Sequence, residues 1–416
     1  MTTTLRDGIA VCTLSCGLRL AIEPIAAARS VALAWLLPVG SAAFSEAEDG
    51  HAAMLAELIQ RGAGGLDARA HSDALDRLGV QRSTSVLTHH MQIGATMLGS
   101  HLHEALPLLA SMVTSPLLPA TALDPARSLA LQSLEGLDDD PQELVMLRLK
   151  EHHLAPPFNR HGHGREDVLE AATIDSLRAG WKRLAVPKGS ILGIAGGIDP
   201  HVVEAQLESL LSSWSGAADE PKASAPPARG SHHEIHETAQ THLAVAWDAP
   251  RESDTDSMRE RLLIRVLGSG SSSRLFSEVR EKRGLCYSVF ASYSSGRDTG
   301  LVMLYAGSTP QRAQQTLEVS MEQVGRLGRD LGRNEFARAV IGLKSRLVMQ
   351  GESTGARAAS IAGDLYRLGR ARSLEAIAAE VDRVSYDDLV AYAGARRVGP
   401  LTLVTIGPAA LEPPSP

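Results

Sequence analysis

Two short words recur in this chain in the same order and at nearly the same interval, which requires the fold to be built twice. Val31-Ala32-Leu33-Ala34-Trp35-Leu36-Leu37-Pro38 is echoed by Leu243-Ala244-Val245-Ala246-Trp247-Asp248-Ala249-Pro250. Thr96-Met97-Leu98-Gly99-Ser100 is echoed by Leu304-Tyr305-Ala306-Gly307-Ser308. The run from Trp35 to Gly99 nearly equals that from Trp247 to Gly307. After each Gly-Ser the apolar spacing predicts an amphipathic helix, over 103–113 and 310–327. Strand-like runs at 190–196 and 401–406 alternate with helical segments. Asp124 reads as the N-cap of a helix to 137, with Pro125 in its first turn, and Pro141 opens another to about His153. The expected fold class is α+β: two homologous domains, each an antiparallel-leaning sheet with helices packed on one face.

A chain of 416 residues is too long for one ordinary core, which agrees with the repeat. Between the halves, residues 215–236 are rich in Pro, Ala, Ser and Gly and carry no apolar periodicity. They read as a linker, giving domains over 1–214 and 237–416. The net charge of -7, with no basic block, disfavours nucleic acid and anionic membranes as partners. No apolar run is long enough to span a bilayer, and the opening residues lack the plan of a signal segment. Of the three cysteines, Cys12 and Cys16 fall in a predicted hairpin turning near Gly17, and with Cys286 they form no disulfide framework. A cytoplasmic location is expected.

The stretch from Gly50 to Arg61-Gly62 has the frame of a helix that carries His-x-x-Glu-His in inverted zincins. In that motif both His lie on one helical face and the Glu is the general base. The three positions here hold Ala53, Ala56 and Glu57. Two methyl groups and one carboxylate do not make the three protein ligands of a catalytic zinc. The paired histidines His89-His90, His152-His153 and His232-His233 offer no easy substitute, because neighbours diverge on either a helix or a strand. His161-Gly162-His163 reads as a loop, and His232-His233 falls in the linker.

The run Leu267-Gly268-Ser269-Gly270-Ser271-Ser272-Ser273-Arg274-Leu275-Phe276-Ser277-Glu278-Val279-Arg280-Glu281-Lys282-Arg283-Gly284-Leu285-Cys286-Tyr287-Ser288-Val289 closely resembles the second-half signature of the pitrilysin/insulinase-type zinc peptidases, the family that includes mitochondrial processing peptidase. Asp298-Thr299-Gly300-Leu301, Asp138-Asp139-Asp140-Pro141 and Gly196-Gly197-Ile198-Asp199-Pro200 extend the resemblance over nearly the whole chain. The resemblance registers the third zinc ligand at Ser133, so all four chemical positions are altered. It also implies that Arg280 and Tyr287, both intact, are the donors that bind the substrate carbonyl and stabilise its tetrahedral intermediate. Without it, Arg280 reads as the partner of Glu278 or Glu281 and Tyr287 as a core residue. The loop at Gly268 and Gly270 has no Walker Lys and reads as a turn that a peptide can approach closely.

An intact donor pair beside a dismantled zinc helix implies a division of labour. The expectation is a non-catalytic subunit, one clam-shell half of a heterodimeric zinc peptidase, with Arg280 and Tyr287 acting in trans. The expected partners are a homologous subunit with an intact His-x-x-Glu-His motif and a peptide substrate. No cofactor is expected in this chain, and zinc is expected in the partner. The accessory subunit of the peptidase that trims the pyrroloquinoline quinone precursor peptide is one candidate. The alternatives are a scaffold pseudo-peptidase of a larger complex, or an independent enzyme with another metal arrangement using Glu57.

Overall fold

The computed structural model describes residues 4–413, so the opening residues read above for a signal segment lie partly outside it. The first sheet contains β1 (Thr4–Arg6), β2 (Ile9–Thr13), β3 (Arg19–Pro24), β4 (Ser30–Leu37), β5 (Gln81–Val86), β6 (Met91–Leu98) and β7 (Ile191–Gly196). Its spatial order is β1-β2-β3-β7-β4-β6-β5. The second contains β8 (Gly230–Ile235), β9 (Thr241–Ala249), β10 (Cys286–Ser295), β11 (Gly300–Ser308) and β12 (Thr402–Gly407), in the order β8-β12-β9-β11-β10. The run β3-β7-β4-β6-β5 is repeated strand for strand by the second sheet. The repeat includes its parallel pair, β3–β7 in one and β8–β12 in the other, while the remaining ladders are antiparallel. The repeated words are the paired central strands: Trp35 faces Ile93 and Trp247 faces Val302. Gly17, at φ +100°, turns the β2–β3 hairpin where the sequence placed it.

Two compact units result, but they do not meet at one linker. The first takes the chain up to Gly136, then Pro156–Ser224 and Met349–Ser373. The second takes Leu137–Ala155, Ala225–Val348 and the chain from Leu374 on. The expected boundaries at 214 and 236 therefore need correction twice. Residues 230–235 of the expected linker are β8, so His232 and His233 lie on a strand. Gly-Ser-His-His-Glu has little intrinsic strand preference, and its extension comes from parallel pairing with β12. Each unit also takes a helix from the other half of the sequence: Thr354–Leu368 in the first, Pro141–His153 in the second.

The reason for this exchange is visible in β4, which is buried at every residue after Ser30. Val31, Leu33, Trp35 and Leu37 face the main core. Ala32, Ala34 and Leu36, with Ala21, Ile191 and Ala195, face Ala358, Ile361, Ala362 and Leu365 of the Thr354–Leu368 helix. The reading of helices on one face is thus incomplete, since the sheet is apolar on both faces and both are covered. Gly193 in β7 permits the close approach, because a Cβ there would lie 2.3 Å from the Ala358 carbonyl oxygen.

In the second unit, Pro141–His153 packs on β9 and β12. Asp140 caps it by accepting from the Glu143 amide at 3.0 Å. The preceding helix, Leu123–Glu135, starts one residue before the predicted cap. Asp124 sits in its first turn and pairs with Arg127. Among the described residues, no helix is long and apolar enough to cross a membrane.

Candidate functional site

The zinc-frame helix of the first unit runs His51–Leu58. Gly50 starts it at φ +110°, where a Cβ would meet Leu169 at 2.7 Å, so the frame keeps its glycine for a physical reason. Ala53, Ala56 and Glu57, at spacings i, i+3 and i+4, share one side of the helix. The helix as a whole packs beside Leu123–Glu135, the helix bearing Ser133. The frame is therefore folded, but its donors are gone. Glu57 is half exposed and faces Arg61 at 3.8 Å. Ser133 Oγ lies 3.1 Å from His163 Nδ1. A carboxylate and a hydroxyl do not fit the nitrogen-rich, three-ligand set of a catalytic zinc. Among the described residues, no group of three or more His, Cys, Asp or Glu side chains is placed to hold a metal. His51 is no ligand either: its ring is buried against Phe44, and burial lowers its pKa.

The donor pair of the second unit is assembled by local backbone chemistry. Residues Phe276–Glu281 form a π-helical turn, a feature that recurs at functional sites. The turn ends in a glycine-capped reversal one residue wider than a Schellman motif. Leu285 N–H donates to Val279 O and Gly284 N–H to Arg280 O, both at 3.0 Å, with Gly284 at φ +59°. The chain reverses there and enters β10. Arg312 donates to Gly284 O at 2.6 Å, and Ser308 and Thr316 donate to Leu285 O, fixing the reversal from outside. At the start of β10 the register slips between Cys286 and Ser288, leaving Tyr287 as the extra residue of a β-bulge on an edge strand. The bulge turns Tyr287 out of the sheet, and it is 78% exposed.

The result brings two residues seven apart in sequence to one place. Arg280 Cζ lies 5.2 Å from the Tyr287 ring centroid and 4.9 Å from that of Phe276. Neither local alternative from the sequence holds. Glu278 is taken by Lys282 at 2.6 Å and Arg283 at 2.7 Å, which hold its carboxyl below the usual range. Among the described residues, Arg280 has no ion pair, and Tyr287 is not in the core. A guanidinium held by ring contacts rather than by a carboxylate leaves its N–H donors available to a ligand. Phe276 was missed by sequence reasoning, although it stands one helical turn before Arg280.

The two glycines of the loop differ. Gly268 ends the Ser257–Gly268 helix and is buried against β10, where a Cβ would lie 2.1 Å from Ala291 N. Its glycine serves packing, so the expectation that a peptide approaches it is not supported by its position. Gly270, at φ +89°, is exposed, with no atom within 4 Å of where a Cβ would be. Next to Tyr287, Cys286 is buried, and burial pushes its thiol up to about 11. It is a packing residue rather than a nucleophile.

Comparison with known proteins gives a consistent picture. Residues 171–343 match the family described as "Peptidase M16 inactive domain". An uncharacterized zinc protease of Streptomyces coelicolor is 28% identical, over 92% of this chain and 85% of that one. The uncharacterized zinc protease YmxG of Bacillus subtilis is 26% identical, over 89% and 91%. Among solved structures, a peptidase M16 inactive domain from Pseudomonas fluorescens superimposes with a TM-score of 0.87 at 20% identity, covering 98% of this chain and 100% of that chain. A protease from Helicobacter pylori gives 0.86 at 20% identity, over 95% and 98%.

Proposed function

Because the chain belongs to the pitrilysin-like peptidase family, as a peptidase-like member with altered zinc-ligand positions, we propose that it is the zinc-less subunit of a heterodimeric metallopeptidase. Arg280 and Tyr287 supply transition-state stabilisation to a zinc site on a homologous partner. The observation that carries this reading is the contrast between the two constellations. The first unit keeps the helix and loses the ligands. The second keeps a solvent-facing Arg/Tyr pair, free of carboxylate partners, on a bulged edge strand. An exposed phenol and an unpaired guanidinium gain nothing for the core, so their retention points to a ligand. The peptide adds a strand at the β10 edge, where main-chain hydrogen bonds give sequence-tolerant binding and bring a carbonyl beside Arg280.

Zinc belongs to the partner in this reading, and the partner supplies the water activation. Arg280 and Tyr287 hydrogen-bond the carbonyl oxygen as it gains charge. A cofactor-precursor peptide is one substrate that fits, and nothing in the chain restricts the choice to it. The test is purification with the partner, followed by Arg280→Ala. The expected result is a peptidase dependent on both chains, with kcat reduced about 10²–10³-fold in the variant. A complex whose turnover is indifferent to Arg280→Ala removes the proposal and favours a scaffold.

A further inference from the structure

The second unit contains a cavity of about 310 Å³ between the Ser257–Gly268 helix, the serine loop after it and the Arg333–Gly351 helix. This is at the lower end of the ~300–1,000 Å³ typical of small-ligand pockets. Its walls include Arg265, Ser269, Ser272, Arg338, Glu335 and Gly342. Arg265 lies across Gly342, where an added Cβ would be 2.5 Å from Nη2. Neither Arg265 nor Arg338 has an ion pair or hydrogen bond from its guanidinium among the described residues. Glu335, the carboxylate of this wall, is already committed to Arg274 by two bonds of 2.7 Å. The cavity therefore offers two unpartnered guanidinium groups and serine hydroxyls, with its negative charge already neutralised. Burial lowers the pKa of Arg265, and the nearby charge of Arg346 adds to this. A partly buried cation next to a like charge is relieved by a bound anion.

We propose that this cavity binds the carboxylate of an acidic side chain on the peptide, making Asp- or Glu-bearing peptides the favoured substrate class. The proposal rests on the peptide-binding reading above. Guanidinium groups accept carboxylates in bidentate geometry, and the serine hydroxyls supply further donors. The same loop leads from the cavity into the turn that carries Arg280.

The test uses the full chain without a partner. Fluorescence anisotropy compares a dye-labelled, end-capped Ala/Glu heptapeptide with its Ala/Gln counterpart at low salt. The expected preference for Glu is about tenfold. Arg265→Met and Arg338→Met should each bring the ratio towards one. Gly342→Ala keeps both charges but displaces Arg265, and should weaken the preference as well. Circular dichroism melts establish that each variant is folded. Equal binding of the two peptides, or a preference unchanged in all three variants, overturns the proposal. So does inorganic phosphate binding that the variants abolish while peptide preference is absent, since the cavity is then a site for free anions. The peptide-binding reading is tested separately by the Arg280→Ala turnover of the two-chain complex, which stands whatever the anisotropy shows.

Discussion

At the scale of residues, Arg280 is a cation held by rings rather than carboxylates, and this determines what its neighbours contribute. A cation–π contact at an exposed ring is worth about 0.5–1 kcal/mol, a small part of the stability of a domain. Tyr287→Phe keeps the ring beside Arg280 and removes only the hydroxyl. We expect it to leave Tm within about 2 °C while lowering kcat of the proposed two-chain enzyme by about 10²-fold. Unchanged turnover would mean that Tyr287 only braces Arg280. The zinc frame gives a second expectation. Ala53→His, Ala56→Glu and Glu57→His with Ser133→Glu should bind one zinc per chain, measurable by elemental analysis after dialysis. His163, already 3.1 Å from Ser133 Oγ, is placed to hydrogen-bond the new carboxylate. If the chain retaining Ser133 binds zinc equally tightly, the register at that position is wrong. The sequence made the altered ligands legible only through the family frame. Helical spacing already favours Lys282, four residues after Glu278, over Arg280, two residues after it, but it did not show that Arg283, five residues on, would share the carboxylate. The wider π-helical turn is where that fifth-residue partner is brought in.

At the scale of elements, segments with their own punctuation were legible. Gly17 marked a hairpin, and Asp140-Pro141 marked a helix start. What depends on a distant partner was not. β8 has no apolar alternation and exists because β12 pairs with it. The bulge at Tyr287 depends on the register of β10 against β11. Glycines record such contacts once the structure is known. Gly193 admits the Thr354–Leu368 helix to the sheet, and nothing on the helix can yield cheaply, because the closest atom is a backbone carbonyl. Gly193→Val should destabilise the chain by about 1–3 kcal/mol through overpacking, seen as a lower urea midpoint. An unchanged midpoint would show that this helix can back away from the sheet without loss.

At the scale of the whole molecule, the repeat announced two units but not the exchange of helices between the two halves of the sequence. A helix does not declare which sheet it covers. The strands do give a hint, since β4 is apolar on both faces and one layer of helices cannot cover it. The exchange has a consequence for cutting the chain. A fragment of residues 1–224 holds every strand of the first sheet but lacks Thr354–Leu368. It would expose Ala21, Ala32, Ala34, Leu36, Ile191 and Ala195 to water. The complementary fragment, 225–416, lacks Pro141–His153, which covers β9 and β12. Contiguous apolar faces of this kind favour aggregation. We therefore expect either fragment alone to bind a hydrophobic dye and to melt without a cooperative transition. Together they contain both exchanged helices. Co-expressed, they should purify as a one-to-one complex with a cooperative melt close to that of the intact chain. A first fragment that melts cooperatively alone, near the Tm of the full chain, would show that the exchanged helix decorates the sheet rather than completing it.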